Sequence, residues 1–236
     1  MTSLVFDIDD TLYSRQDLFI KAASDVTGQD ISKIEDFVDT FYRVSDLNTR
    51  QLEKGLISTI ESNTWRFAKV YEQLGIAADD TAGLRTAQRY SELQEQIRLS
   101  SEMERTLSAL RDCKTVELAI ITAGSSEHQW LKYDRLGMER FIPKDKVIVA
   151  GDVGCSKPDV KIFRLMEDRL NEKDRNNIYM IGDSYKHDIS GAVAAGWRSI
   201  WLNRRKKVLR RGDSVPDYEV NTEQQLLDLI SEMILD

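Results

Sequence analysis

The sequence predicts an α/β protein: a doubly wound parallel sheet whose first strand is separated from the others by an all-helical insertion. Three observations carry this. Short, near-continuous apolar runs recur at residues 3–6, 116–121, 147–150, 178–181 and 199–202. Helix-like segments separate the last four of them. Between the first two, residues 15–98 show helical periodicity and no convincing strand. Runs that are apolar throughout belong to strands covered on both faces, as in a parallel sheet, whereas a half-solvated antiparallel strand alternates.

The elements follow in order. Residues 3–6 are a strand running into Asp7. In the insertion, Ile34, Phe37 and Phe41 lie at i, i+3, i+7, and Phe67, Val70, Tyr71 and Leu74 at i, i+3, i+4, i+7. Tyr90, Leu93 and Ile97 repeat the pattern. Such stripes mark the amphipathic helices of a small bundle. From Ser101, a helix through Leu107 and Leu110 leads to the strand at 116–121, then come a helix over 126–136 and the strand at 147–150. A helix over 158–170 places Ile162, Phe163, Met166 and Leu170 on one side. The strand at 178–181, a helix through Ala195, the strand at 199–202 and a last helix bearing Leu226, Leu229, Ile230 and Met233 complete the chain. The expected domains are an α/β core of residues 1–14 and 99–236 and a helical insertion of residues 15–98.

Composition narrows the class. With 41% hydrophobic and 31% charged residues among 236, the chain can bury a core. A net charge of −7 argues against a general nucleic-acid binder. Cys113 and Cys155 lack metal-ligand spacing and read as reduced thiols of a cytoplasmic protein. The N-terminus runs through Leu4-Val5-Phe6 straight into acid, too short and too acidic a start for a signal peptide. No apolar stretch approaches the roughly 20 residues of a membrane span.

Ligands of an open parallel sheet bind beyond the carboxyl ends of its strands. The residues that follow the predicted strands are Asp7, Asp9, Asp10 and Thr11; Thr122, Ala123 and Gly124; Gly151, Asp152 and Lys157; and Gly182, Asp183, Ser184 and Asp188. Carboxylates gathered this way repel unless a cation lies among them, and an all-oxygen set suits Mg²⁺. Thr122, Lys157 and the N–H groups of Ala123 and Gly124 offer donors to an anion. A divalent cation facing such donors is the equipment of phosphoryl transfer. Each segment alone has an ordinary explanation as a turn acid or helix start; their joint order at matching strand ends does not. Elsewhere, Trp197 and Trp201 read as core. Arg50 and Arg66 read as surface residues, and the basic run at 204–211 as a solvated loop after the last strand.

Asp7-Ile8-Asp9-Asp10-Thr11, Thr122, Lys157-Pro158 and Gly182-Asp183-Ser184-Tyr185-Lys186-His187-Asp188 together resemble, in order, the four motifs of the haloacid dehalogenase-like hydrolase superfamily. The resemblance implies a Rossmann-like core, and the insertion looks like the superfamily's type-1 cap. Phe6 to Tyr13 and Trp65-Arg66-Phe67 are similar to phosphatases related to pyrimidine 5′-nucleotidases and N-acylneuraminate-9-phosphatases. As implied by resemblance, Asp7 is the nucleophile and Asp9 the general acid and base. Asp7, Asp9 (through its carbonyl) and Asp183 hold Mg²⁺. Thr122, Ala123, Gly124 and Lys157 bind the phosphoryl group, with Thr11, Ser184 and Asp188 in support. Dehalogenases of the superfamily lack an aspartate at the Asp9 position and need no Mg²⁺. The resemblance therefore implies a phosphatase for a small phosphomonoester, such as a nucleotide or sugar phosphate, with no nucleic-acid polymer or membrane as partner. A phosphomutase or phosphotransferase, a dehalogenase and a non-catalytic module on the same fold are the alternatives.

Overall fold

The computed structural model describes residues 1–53 and 55–234; residues 235 and 236, the end of the expected core domain, lie outside the described residues. The chain divides into two compact units, Met1–Tyr13 with Arg98–Asp236, and Ser14–Ile97. β1 (Thr2–Phe6) opens the first. The second is helical: α1 (Arg15–Thr27), α2 (Phe37–Glu53), α3 (Thr59–Leu74) and α4 (Ala82–Gln94). The first resumes with α5 (Ser101–Asp112), β2 (Val116–Thr122), α6 (Ser126–Arg135), β3 (Val147–Val149), α7 (Ala150–Val153), α8 (Val160–Arg169), β4 (Ile178–Gly182), a π-helical turn (Tyr185–Ile189), α9 (Ser190–Ala195), β5 (Arg198–Leu202), β6 (Tyr218–Val220) and α10 (Glu223–Ile234). No described helix is long and apolar enough to cross a membrane.

In the helical unit the ends are built locally. Ser14 caps α1 by accepting from Asp17 N, Ser58 and Glu61 form a capping box on α3, and Gly28 and Gly75 close α1 and α3 in the left-handed conformation. Phe19 stacks on Phe41 at 4.2 Å between ring centroids, and Phe41 meets Phe67 at 5.0 Å. These rings form the core with Val70, Ala87 and Tyr90. The predicted stripe at Phe67, Val70, Tyr71 and Leu74 lies on α3. Two expectations shift. Ile34 precedes α2, because the chain breaks its helical run at Asp36, held at φ 59°. Ile97 falls beyond the end of α4.

Arg66 corrects a third expectation: it is 9% exposed. Its Nε donates to Asn48 Oδ1 at 2.7 Å, and its terminal nitrogens donate to Asn63 Oδ1, Ser45 O and Thr49 Oγ1. All of these acceptors are neutral. Burial and the nearby Arg15 guanidinium draw its pKa down to about 10. Arg66 thus ties α2 to α3 through hydrogen bonds. Arg66→Ala is expected to cost about 3 kcal/mol, from lost charge-assisted bonds and stranded acceptors. The check is a lowered urea midpoint at unchanged m-value.

The first unit is a six-stranded, wholly parallel sheet in the order β3-β2-β1-β4-β5-β6. β1 is central, and Leu4, Val5 and Phe6 are fully buried. On one face, Val5, Ala119, Ile121 and Met180 pack with Ile162, Phe163, Met166 and Trp197. The chain fills one side of β1 with β2 and β3, then returns to the other side with β4. The order therefore reverses between β1 and β4, and that switch point is where open α/β sheets bind ligands.

Three boundaries differ from expectation. β3 stops at Val149, and Ala150 starts a short helix. α8 begins at Val160 because Asp159 caps it, accepting from Lys161 N at 2.9 Å. The basic run is not beyond the last strand, since β6 follows it.

Candidate active site

Asp7 stands directly after β1, and its N–H continues the ladder to Ile181 O at 2.9 Å. The strand does not persist to Asp9. Residues 8–12 instead form a turn closed by Leu12 N to Ile8 O at 3.1 Å, with Ile8 and Leu12 fully buried beneath it. Asp10 takes φ 60°, a left-handed conformation that aspartate tolerates better than most residues. Its carbonyl receives Arg204 Nε at 3.1 Å, so one arginine of the basic run is spent holding this turn. Asp7 and Asp9 consequently take different partners, contrary to the shared side that a continuing strand would give them.

Lys157 joins three strand ends. Its Nζ lies 2.7 Å from Asp7 Oδ1, 2.6 Å from Asp188 Oδ1 and 2.8 Å from Ile121 O. The contacts with Asp7 and Ile121 are hydrogen bonds, and that with Asp188 is an ion pair. Asp188 is fixed further by Ser184 N, which donates to its Oδ2 at 2.9 Å. Gly182 permits this approach, because a Cβ there would collide with the Asp188 carboxylate. Trp201 Nε1 donates to Asp183 O at 2.9 Å and steadies the loop after β4.

One oxygen each of Asp7, Asp183 and Asp188 lies within 4.8 Å of the others. Burial pushes the Asp7 carboxyl up to about 7; the Lys157 charge opposes this, and Asp188 and Asp9 add to it. For Lys157, burial penalises the charge, but Asp188 and Asp7 more than offset it and hold the pKa above its usual value. Lys157 pairs with Asp7 and Asp188, and Asp183 brings a third carboxylate close to theirs. A divalent cation suits such a set of acids. The donors are all hard oxygens, the kind Mg²⁺ takes, and they lie within 4.8 Å of one another.

Thr122, 1% exposed, ends β2 and donates its hydroxyl to Gln129 Oε1 at 2.9 Å. Ala123 and Gly124 follow it and are exposed. Thr11 is fully buried, and its hydroxyl has no hydrogen-bond partner. Ser184 accepts from His187 N at 3.3 Å and meets its Nδ1 at 3.0 Å. Around Asp9 stand residues the sequence reading passed over: Tyr13, Gln129 and Lys132, the last forming an ion pair at 2.6 Å. Their available signal was the i, i+3 spacing of Gln129 and Lys132 on the helix that follows Thr122.

A wholly parallel sheet with acids and a lysine gathered at its switch point is a Rossmann-like α/β core with a candidate site at its strand ends. Residues 1–196 match the haloacid dehalogenase-like hydrolase family, and the chain belongs to it. It is similar to a glyceraldehyde 3-phosphate phosphatase of Methanopyrus kandleri, at 28% identity over 99% of each chain. It is also similar to the pyrimidine 5′-nucleotidase PynA of Streptococcus pneumoniae, at 27% identity over 99% of this chain and 96% of the relative. Among solved structures, the HAD-hydrolase YfnB of Bacillus subtilis, bound to magnesium, superposes with a TM-score of 0.67 at 25% identity over 98% of both chains.

Proposed function

We propose that this protein is a Mg²⁺-dependent hydrolase of small phosphomonoesters that works through an aspartyl-phosphate on Asp7. The observation that carries this reading is the Asp7, Asp183 and Asp188 cluster at the β1/β4 switch point, with Lys157 paired to Asp7 and Asp188. The phosphatase relatives and the magnesium-bound YfnB support it. So does Asp9, the residue that dehalogenases of the superfamily lack.

In the first step an Asp7 oxygen forms a bond to phosphorus as the ester P–O bond breaks, and the leaving oxygen takes a proton from Asp9. In the second, water attacks the aspartyl-phosphate, Asp9 takes the water's proton, and inorganic phosphate leaves with Asp7 restored. Thr122 and the N–H groups of Ala123 and Gly124 serve the phosphoryl oxygens. Lys157 neutralises and orients Asp7, and Asp188 orients Lys157; Thr11 and Ser184 support the two acidic loops. Mg²⁺, held by Asp7, Asp183 and the carbonyl of Asp9, would neutralise charge on the phosphoryl group. The helical unit is proposed as the family's type-1 cap. A cytoplasmic location goes with the reading, supported by two unbridged cysteines.

The test is a panel of nucleotides and sugar phosphates assayed with Mg²⁺ for inorganic phosphate and for isomerised product. Phosphate release is expected. Isomerisation without release would make the protein a mutase, and inertness across the panel would remove the reading.

A further inference from the structure

Asp9 sits on a turn, so its backbone does not fix its carboxylate as a strand would. Side chains do. Tyr13 Oη donates to Oδ1 at 2.5 Å, Lys132 Nζ reaches Oδ1 at 2.7 Å and Oδ2 at 2.6 Å, and Gln129 Nε2 donates to Oδ2 at 3.2 Å. Lys132 and Gln129 come from one face of α6, three residues apart. Gln129 is 4% exposed and is anchored by the Thr122 hydroxyl. Gly124 leaves it room: at φ 119° it has no side chain, and a Cβ there would press on the Gln129 amide at 3.0 Å. The Lys132 and Asp9 side chains are 12% and 19% exposed, so this pair is largely withdrawn from water and its geometry is held.

We propose that Lys132, seconded by Gln129, is a positioning residue: it holds the Asp9 carboxylate in the orientation from which Asp9 serves the leaving oxygen and the attacking water. This rests on the role of Asp9 given above. It also places the Thr122 end of β2 and the Asp9 turn in one hydrogen-bonded unit, so that the strand end and the proton carrier keep a fixed spacing.

The test compares two substrates whose leaving groups differ in their need for a proton. Glycerol phosphate releases an alkoxide, which needs one; p-nitrophenyl phosphate releases a stable phenolate, which does not. Lys132→Met is expected to lower kcat/KM for glycerol phosphate by on the order of 10- to 100-fold and to change p-nitrophenyl phosphate far less. Lys132→Arg, which keeps a cation, should recover most of the loss. In an Asp9→Asn background, Lys132→Met should add nothing. Equal losses on both substrates would assign Lys132 a merely structural role and overturn the proposal. So would a crystal structure of Lys132→Met with the Asp9 carboxylate unmoved, a readout that needs no turnover. Failure of the underlying reading looks different: wild-type protein with Mg²⁺ would hydrolyse neither substrate.

Discussion

Asp7→Asn is expected to reduce turnover by on the order of 10⁴-fold or more while leaving the protein folded. The change is isosteric, and the asparagine carbonyl can still accept from Lys157 Nζ, which lies 2.7 Å from Asp7 Oδ1. What disappears is the oxygen that bonds to phosphorus, since a carboxamide is a poor nucleophile and gives no acyl phosphate. What also disappears is one of three carboxylates crowded within 4.8 Å. Burial already raises the Asp7 carboxyl to about 7, so an amide at that position avoids a cost that the wild-type carboxylate bears. Two effects of opposite sign follow. Activity falls, and the melting temperature of the metal-free protein rises. Phosphate release and circular dichroism in EDTA measure them separately. Residual turnover above about 1% of wild type would move the attack to another group. A lowered melting temperature would mean that the Asp7 charge is better compensated than this geometry allows.

The parts of the fold that were legible in the sequence are those where burial acts alone. β1, β2, β4 and β5 are covered on both faces, so they read as apolar runs, and each run ends where a polar residue emerges at the sheet edge. That is why Asp7, Thr122 and Asp183 could be placed. β6 left no such trace: it is a three-residue edge strand in which only Val220 is buried. The reach of Lys157 to Asp7 and Asp188 depends on tertiary placement across 150 and 31 positions of chain, which no local pattern encodes. The conformation of Asp9 failed for a different reason. The chain turns at Ile8 rather than continuing the strand, and the carboxylate is set by α6, where Gln129 and Lys132 carry only their i, i+3 spacing as a signal. Arg66 shows the limit of composition. Arginine is rarely buried, yet neutral acceptors on α2 and α3 suffice to hold this one.

Removing the metal is expected to abolish activity, restored by Mg²⁺, and to make the protein's stability depend on pH in a direction unusual for a carboxylate. Asp7 binds its proton more tightly folded than unfolded, because burial raises it from near 3.8 to about 7. Below about pH 4 both states are protonated at this position and it contributes no penalty. Between about pH 4 and pH 7 the unfolded chain gives up the proton while the folded chain keeps it, so stability falls as pH rises. Three units of difference correspond to on the order of 4 kcal/mol lost by pH 7. A cation among Asp7, Asp183 and Asp188 binds the ionised form and opposes that loss, so the stabilisation by Mg²⁺ should grow as pH rises from 5 to 8. Melting temperatures in EDTA and in saturating Mg²⁺ across that range measure both trends. A Mg²⁺ shift independent of pH would mean that the ion binds away from Asp7, and full activity in EDTA would leave the carboxylate cluster without the role assigned to it.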